Sequence, residues 1–411
     1  MNKAFLLFAC LCLGSFFAQA QTAYIPNSDD GTYSVIDVNT ATVTATIQVA
    51  PDSTSCLRTI WATDDGKEIW IADDIGDAIF IFNTADNMAV DTIPAGEAPV
   101  ILVAPGGDKA YISNFGDSTV MVVDGINHVI TDTIIVGGEP GLPAITPDGS
   151  ELYVPIGDFD QVIVIDLASH MVTDTFPVGV EPEILEINPA GTELYVANFQ
   201  DTVVTVIDIV NKTITDTIQS GLGQAGIAFT PDGSTAYVAN IFGATVSVIN
   251  TSTKTVVDTI DVGDNPSGVN VTPDGNQVYA VNQGSDNVMV IDVASNAVVD
   301  TIEVGGGPVA AGHFISIFPK VLSIDEEITA GANIKLYPNP VSAELTISLE
   351  LIRQESLSYR VHNTLGQVLT SGNLIIGQDE LNLDVHNMEA GMYFLSIEGT
   401  GWTQTASFVK Q

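Results

Sequence analysis

Positive charge is what this chain of 411 residues has least of: 11 lysines and arginines stand against 51 aspartates and glutamates, a formal net charge of −40. So acidic a chain is repelled by nucleic acid and by anionic bilayers, which leaves cations, cationic partners and neutral glycans as charge-compatible ligands. Cysteine is almost missing too. Of the three present, Cys10 and Cys12 fall in an N-terminal leader, so only Cys56 remains after its removal. No intrachain disulfide can then form, and stability has to come from packing. Beyond the leader no stretch approaches the about 18 apolar residues that a spanning helix requires. Histidine is scarce, at five. His128 and His170 stand 42 residues apart, which in a repeat protein puts them at equivalent places in adjacent units, unable to share a site. Only His313 reaches the inner region. There is no nucleophile elbow, no zinc-ligand spacing, no phosphate-binding glycine loop and no compact D-x-D-x-D-G calcium loop.

What is present is a repeat. Its first aromatic recurs at Tyr24, Trp70, Tyr111, Tyr153, Tyr195, Tyr237 and Tyr279, with gaps of 46, 41 and then 42 four times. Each copy holds four short β-branched or alternating runs, as in TAYVAN (235–240), TVSVIN (245–250), TVVDTID (255–261) and PSGVNV (266–271). Asp-Gly turns after Pro147, Pro231 and Pro273 separate one pair of runs, and polar turns after Asp37, Asp124, Asp166, Asp208 and Asp292 another. Four antiparallel strands per unit at this period match a propeller blade, and seven blades close a ring. The predicted fold class is therefore all-β: a seven-bladed β-propeller over residues 21–318, followed by a small β-sandwich. If the innermost strand is the one ending in TPDG, the first copy lacks it, and VAAGHFISIF (309–318) is the spare run that closes blade one. The aspartates of the outermost DTI or DTF runs, Asp91, Asp132, Asp174, Asp216, Asp258 and Asp300, read as edge protection.

Residues 1–20 read as a signal peptide: Lys3 gives the positive start, Ala4–Phe17 the apolar core, and Ala18-Gln19-Ala20 a cleavage site before Gln21. Residues 319–334 lack the repeat and carry Asp325-Glu326-Glu327, as a linker would. The alternating runs and turn glycines of 335–411 form the second domain.

That second domain carries Leu336-Tyr337-Pro338-Asn339-Pro340, Leu365-Gly366-Gln367-Val368, Ala390-Gly391-Met392-Tyr393 and a basic end at Lys410. In this order the motifs resemble the C-terminal sorting domain of type IX secretion substrates. The resemblance implies that the type IX machinery is a partner and that the domain is removed after export, with the protein released or attached to the cell surface. The repeat, with AYVAN and ELYVAN followed by TVSVI, VVDTI and VG–P, resembles YVTN-type surface-layer propellers. That resemblance implies the ring and leaves the function open among binding proteins, lactonases and lyases.

A propeller's ligand site usually lies at a channel mouth. Strand-ending residues Asn27, Asp73, Asn114, Asn198, Asn240 and Asn282 map there, as turn formers first and ligand contacts second. Phe115, Phe199 and Phe242 follow on the same loops, as packing or as a sugar-stacking surface. Glu97, Glu139 and Glu181 recur beside the VG–P turns, and Glu186 stands within an innermost strand where other copies have Ala144, Ala228 and Asn270. Together they form a solvated acidic rim, or a weak site for a hard cation such as calcium. Arg58, the one arginine of the propeller, starts the second blade's innermost strand and pairs with a rim carboxylate or holds an anionic group. No cofactor is expected. The sequence favours an exported binding, adhesion or scaffold module for a glycan, protein or small molecule over an enzyme. The alternative is a lactonase- or lyase-like centre, which would need Arg58, Glu139, Glu181, Glu186 and His313 to converge.

Overall fold

A computed structural model describes residues 21–49 and 55–316 of the propeller region; farther on it describes 332–337, 341, 343–351, 357–363, 368–374, 380–388, 391–399 and 402–410. The leader with Ala20, most of the 319–334 linker, Pro338, Asn339, Pro340 and Gly366 lie outside the described residues. The chain divides into two compact units, Met1–Leu322 and Ser323–Gln411.

Unit one is seven four-stranded antiparallel sheets. In blades two to seven the strands follow sequence order from the channel outward, beginning at Leu57–Ala62, Pro99–Val103, Ala144–Ile145, Pro182–Ile187, Gln224–Phe229 and Pro266–Val271. Blade one differs: its innermost strand is Ile315–Ser316, which pairs with Thr22 and Ala23. The closing segment is held from both sides. Tyr24 N–H donates to the Phe314 carbonyl, while Ile60 and Ala62 of blade two donate to the Ala311 and His313 carbonyls.

The turns follow from their residues. In each T-P-D-G turn the glycine takes positive φ (69° at Gly149, 70° at Gly233, 74° at Gly275) and its N–H donates to the threonine carbonyl three residues back. The aspartate accepts from the threonine hydroxyl and from the backbone after the glycine, as Asp148 does from Thr146 Oγ1 at 2.7 Å and Ser150 N at 3.1 Å. These bonds hold its carboxyl below the ordinary range.

Between the third and fourth strands a residue of left-handed conformation recurs: Ala41, Asn87, His128, His170, Lys212, Lys254 and Asn296, at φ from 50° to 57°. Several of these reach the preceding blade. Lys254 Nζ lies 2.5 Å from Glu193 Oε2 and 2.9 Å from the Tyr195 hydroxyl, and Lys212 does the same to Glu151 and Tyr153. His128 contacts Glu68 at 3.3 Å and stands edge-on to Trp70. The Tyr237 hydroxyl donates to Asn296 at 3.5 Å, and that of Tyr279 donates across the seam to the Val38 carbonyl of blade one. In these five blades the marker aromatic is thus tied to the turn of the next, and all seven marker aromatics are 0–1% exposed. Some edge aspartates join in: Asp132 meets His170, and Asp258 accepts from Asn296. These two aspartates therefore also tie neighbouring blades together.

Unit two is a three-stranded sheet (Ala332–Tyr337, Glu344–Leu351, Glu380–Asp384) and a four-stranded one (Leu357–Asn363, Val368–Leu374, Gly391–Gly399, Trp402–Lys410). Leu345, Ile347 and Leu383 of the first share one core with Val361, Leu395, Ile397 and Phe408 of the second, which makes it a small sandwich.

Candidate functional site

In blades two, five, six and seven the register of the innermost strand against its neighbour shifts by one residue near its start. The extra residues are Arg58, Glu183, Ala225 and Ser267. A bulge leaves one residue out of the ladder and re-aims its side chain; all four line a cavity of about 270 Å3 at one mouth of the channel. Arg58 Nη1 lies 3.7 Å from Asp74 Oδ2, and Nη2 lies 3.7 Å from Glu183 Oε1. Blades two and five are three apart in a ring of seven, so the second pair spans the channel.

This cluster is under-bonded. Both contacts are longer than a charge-assisted hydrogen bond of about 2.7–2.9 Å. Asp74 Oδ1 is buried and has no hydrogen-bond partner among the described residues. Burial pushes the Glu183 carboxyl above its ordinary range, Arg58 opposes the shift, and Glu181 adds to it. Asp74 is raised likewise, by burial first and then by Asp73 and Asp77 against Arg58. Glu139 and Glu181 line the same cavity, as do Leu57, Leu142, Phe115 and Phe199. Phe199 packs edge-on to Phe242 at 5.3 Å between ring centres.

Other sequence candidates lie elsewhere. Glu97 is exposed on its loop and does not line the cavity. Asn198, Asn240 and Asn282 are fully buried. Their amides bond inward: Asn240 to Thr245 and Ser247, with Gly221 N–H donating back to it, Asn198 to Thr205 and the Val203 carbonyl, and Asn282 to Asn287. These bonds fasten the turn, while Asn198 Oδ1 and Asn282 Oδ1 are buried without a hydrogen-bond partner among the described residues. Glu186 is also not at this mouth. It lines a second cavity of about 210 Å3 with His313, Trp61 and Asp64. A neck separates the two, where a void of about 10 Å3 is left. A Cβ on Gly268 would lie 2.0 Å from the Ala310 carbonyl oxygen, so glycine is needed there for so close an approach, and one on Gly226 would lie a tight 3.1 Å from the Gly268 Cα.

In the distal cavity His313 stacks on Trp61 at 4.2 Å, with Nε2 3.4 Å from Glu186 Oε1. Burial disfavours its charged form, but the Glu186 carboxylate outweighs that and raises its pKa above the ordinary value. The five groups required for a mouth-centred reaction are therefore split three and two across the neck. Among the described residues no group of three or more His, Cys, Asp or Glu side chains is placed to hold a metal.

Residues 6–314 match the family described as YNCE-like beta-propeller. The chain belongs to that family. Residues 335–411 match the Secretion system C-terminal sorting domain, which marks this YNCE-like propeller for export through type IX secretion to the cell surface or beyond. No curated protein matches the chain. Similar solved structures include the Kuenenia stuttgartiensis hydrazine synthase, with a TM-score of 0.59 and 21% identity over 66% of this chain and 92% of that one. Another is the dihydro-heme d1 dehydrogenase NirN in complex with DHE, with a TM-score of 0.55 and 14% identity over 70% and 74%. At such identities the likeness concerns the fold alone.

Glu183 and Asp74 escaped the reading of the sequence. Aligning the repeat on Arg58 gives Pro99, Gly141, Glu183, Ala225, Ser267 and Val309, a column with one cation and one anion; that column was the available signal. Asp74 directly follows the strand-ending Asp73 and needed the ring to place it beside Arg58.

Proposed function

We propose that this YNCE-like propeller is an exported binding module whose ligand seat is the Arg58 mouth, and that it runs no reaction there. The observation that carries this reading is the under-bonded ion cluster: a guanidinium held at 3.7 Å from Asp74 and Glu183 in a cavity of about 270 Å3. The three side chains are 35%, 22% and 23% exposed, so the cluster offers a ligand hydrogen-bonding capacity that its own ion pairs leave unused. Acid–base catalysis at this mouth would fall to Glu183 and Asp74, both of which face the Arg58 guanidinium. The channel's histidine stands on the other side of the neck, bound to Glu186 and stacked on Trp61.

The leader at residues 1–20 takes the chain across the inner membrane and the sorting domain takes it across the outer one, leaving the propeller on the surface or released. Small-molecule and glycan screening of the full chain by calorimetry tests the binding role. Saturable binding lost in Arg58→Gln supports it, and turnover of any bound compound overturns it. Deleting residues 335–411 should leave a folded ring inside the periplasm, since the ring keeps all its strands; surface exposure of the truncated chain in its native host would refute the export route.

A further inference from the structure

The mouth's chemistry narrows the ligand, provided that the mouth is the binding seat as proposed above. We infer that it takes a neutral sugar ring, with hydroxyls over the Arg58–Glu183–Asp74 cluster and an apolar C–H face against Phe115 and Phe199.

Charge excludes the simpler ligands. Four carboxylates line the cavity (Asp74, Glu139, Glu181 and Glu183) against the one guanidinium of Arg58. A phosphate or free carboxylate would meet Arg58 only by entering among those four like charges. A bare cation would satisfy the carboxylates but lie against Arg58, which stands between two of them. A hydroxyl both donates and accepts, so neighbouring hydroxyls can donate to the Glu183 and Asp74 carboxylates while accepting from the guanidinium. They would bridge the two 3.7 Å gaps without adding net charge.

The walls require the other half of the ligand. Phe115, Phe199, Leu57 and Leu142 make them largely apolar, suited to a C–H face rather than to a fully hydrated ion. The volume of about 270 Å3 falls just below that of pockets for drug-sized ligands, which start at about 300 Å3, and fits one ring. Outward of it Phe242 and Phe159 are 57% and 55% exposed, on loops of the same face, and give a second sugar unit a surface to pack on.

The test uses the full chain with three separate probes: neutral monosaccharides (glucose, galactose, mannose, N-acetylglucosamine), free amino acids and inorganic phosphate. Binding is read by calorimetry, and its place by hydrogen exchange of the wild-type protein at the Gly141, Leu142, Glu183 and Ile184 amides. The expected result is saturable, salt-insensitive sugar binding that protects those amides and weakens by about tenfold or more in Arg58→Gln and in Glu183→Gln. Amino acids or phosphate protecting the amides without a sugar doing so would overturn the ligand class and keep the mouth as a seat. Protection by none of the three would overturn both, and so would sugar protection confined to other regions. The wild-type exchange map decides even if a variant fails to fold.

Discussion

Replacing Phe314 by alanine would test whether the ring depends on the segment that closes it. Phe314 is fully buried in the core shared by blades one, two and seven, against residues such as Tyr24, Ile60 and Tyr279. Losing such a ring from a core costs about 3–5 kcal/mol, part transfer and part cavity. For chains of this size class that lowers Tm on the order of 10 °C. Among the described residues the closing strand pairs through Ser316 and Ile315, backed by bonds to the Phe314, Ala311 and His313 carbonyls and from Val309 N–H to the Pro26 carbonyl, so its hold depends on side-chain packing as well as on these bonds. Hydrogen exchange should accordingly rise first at the Tyr24, Ile60 and Ala62 amides, whose acceptors lie on this segment. Urea denaturation gives the free energy and exchange gives the place. A loss under about 1 kcal/mol, or exchange that rises first in blade four or five, would refute the claim that the seam is closed by residues near 314.

Two further perturbations address the ties between blades and the distal cavity. Lys254→Met removes the ammonium held by Glu193 and Tyr195 of the neighbouring blade and should cost about 1–3 kcal/mol in denaturant, because a part-buried carboxylate loses its partner. Asp300→Asn on an exposed outer edge, where the carboxylate accepts from the adjacent Thr301 N–H, should stay within about 0.5 kcal/mol, and equal losses for the two would deny the tie its role. For His313 the folded pKa lies above the ordinary histidine value, so its contribution to stability is complete below that value and is lost as pH rises through the raised one. Glu186→Gln removes the largest cause of the rise and leaves Asp64 to oppose burial, so the NMR-observed pKa of His313 falls and this loss with rising pH shrinks; an unchanged titration curve would sink the argument.

Local chemistry made much of this protein legible. The spacing of Tyr111, Tyr153, Tyr195, Tyr237 and Tyr279 and the T-P-D-G turns act within a few residues, and they point to four strands per blade and seven blades without help from distant contacts. The same period puts His128, His170, Lys212 and Lys254 in one column, although their reach to the preceding blade's aromatic depends on how closely the sheets stack. Arg58, Glu139 and Glu181 could be assigned to one mouth because loops at equivalent repeat positions share a face.

The candidate site itself depended on tertiary structure at three points. A strand rises about 3.3 Å per residue, so the three positions from Glu183 to Glu186 carry a side chain about 10 Å along the channel, and the neck at Gly226 and Gly268 turns that distance into separate cavities. The strand-ending asparagines look like rim residues in one dimension, but their side chains are fully buried and their amide N–H groups donate to neighbouring strands and loops. Finally, Arg58 and Glu183 are 125 residues apart; the period puts them in one column, but only the ring sets blades two and five across the channel from each other. The sequence by itself set the repeat, the turns and the acidic balance, because those are short-range properties of the chain. Closure of seven blades and the one-residue bulges decided which charges face each other, because only a ring brings opposite blades across a common axis.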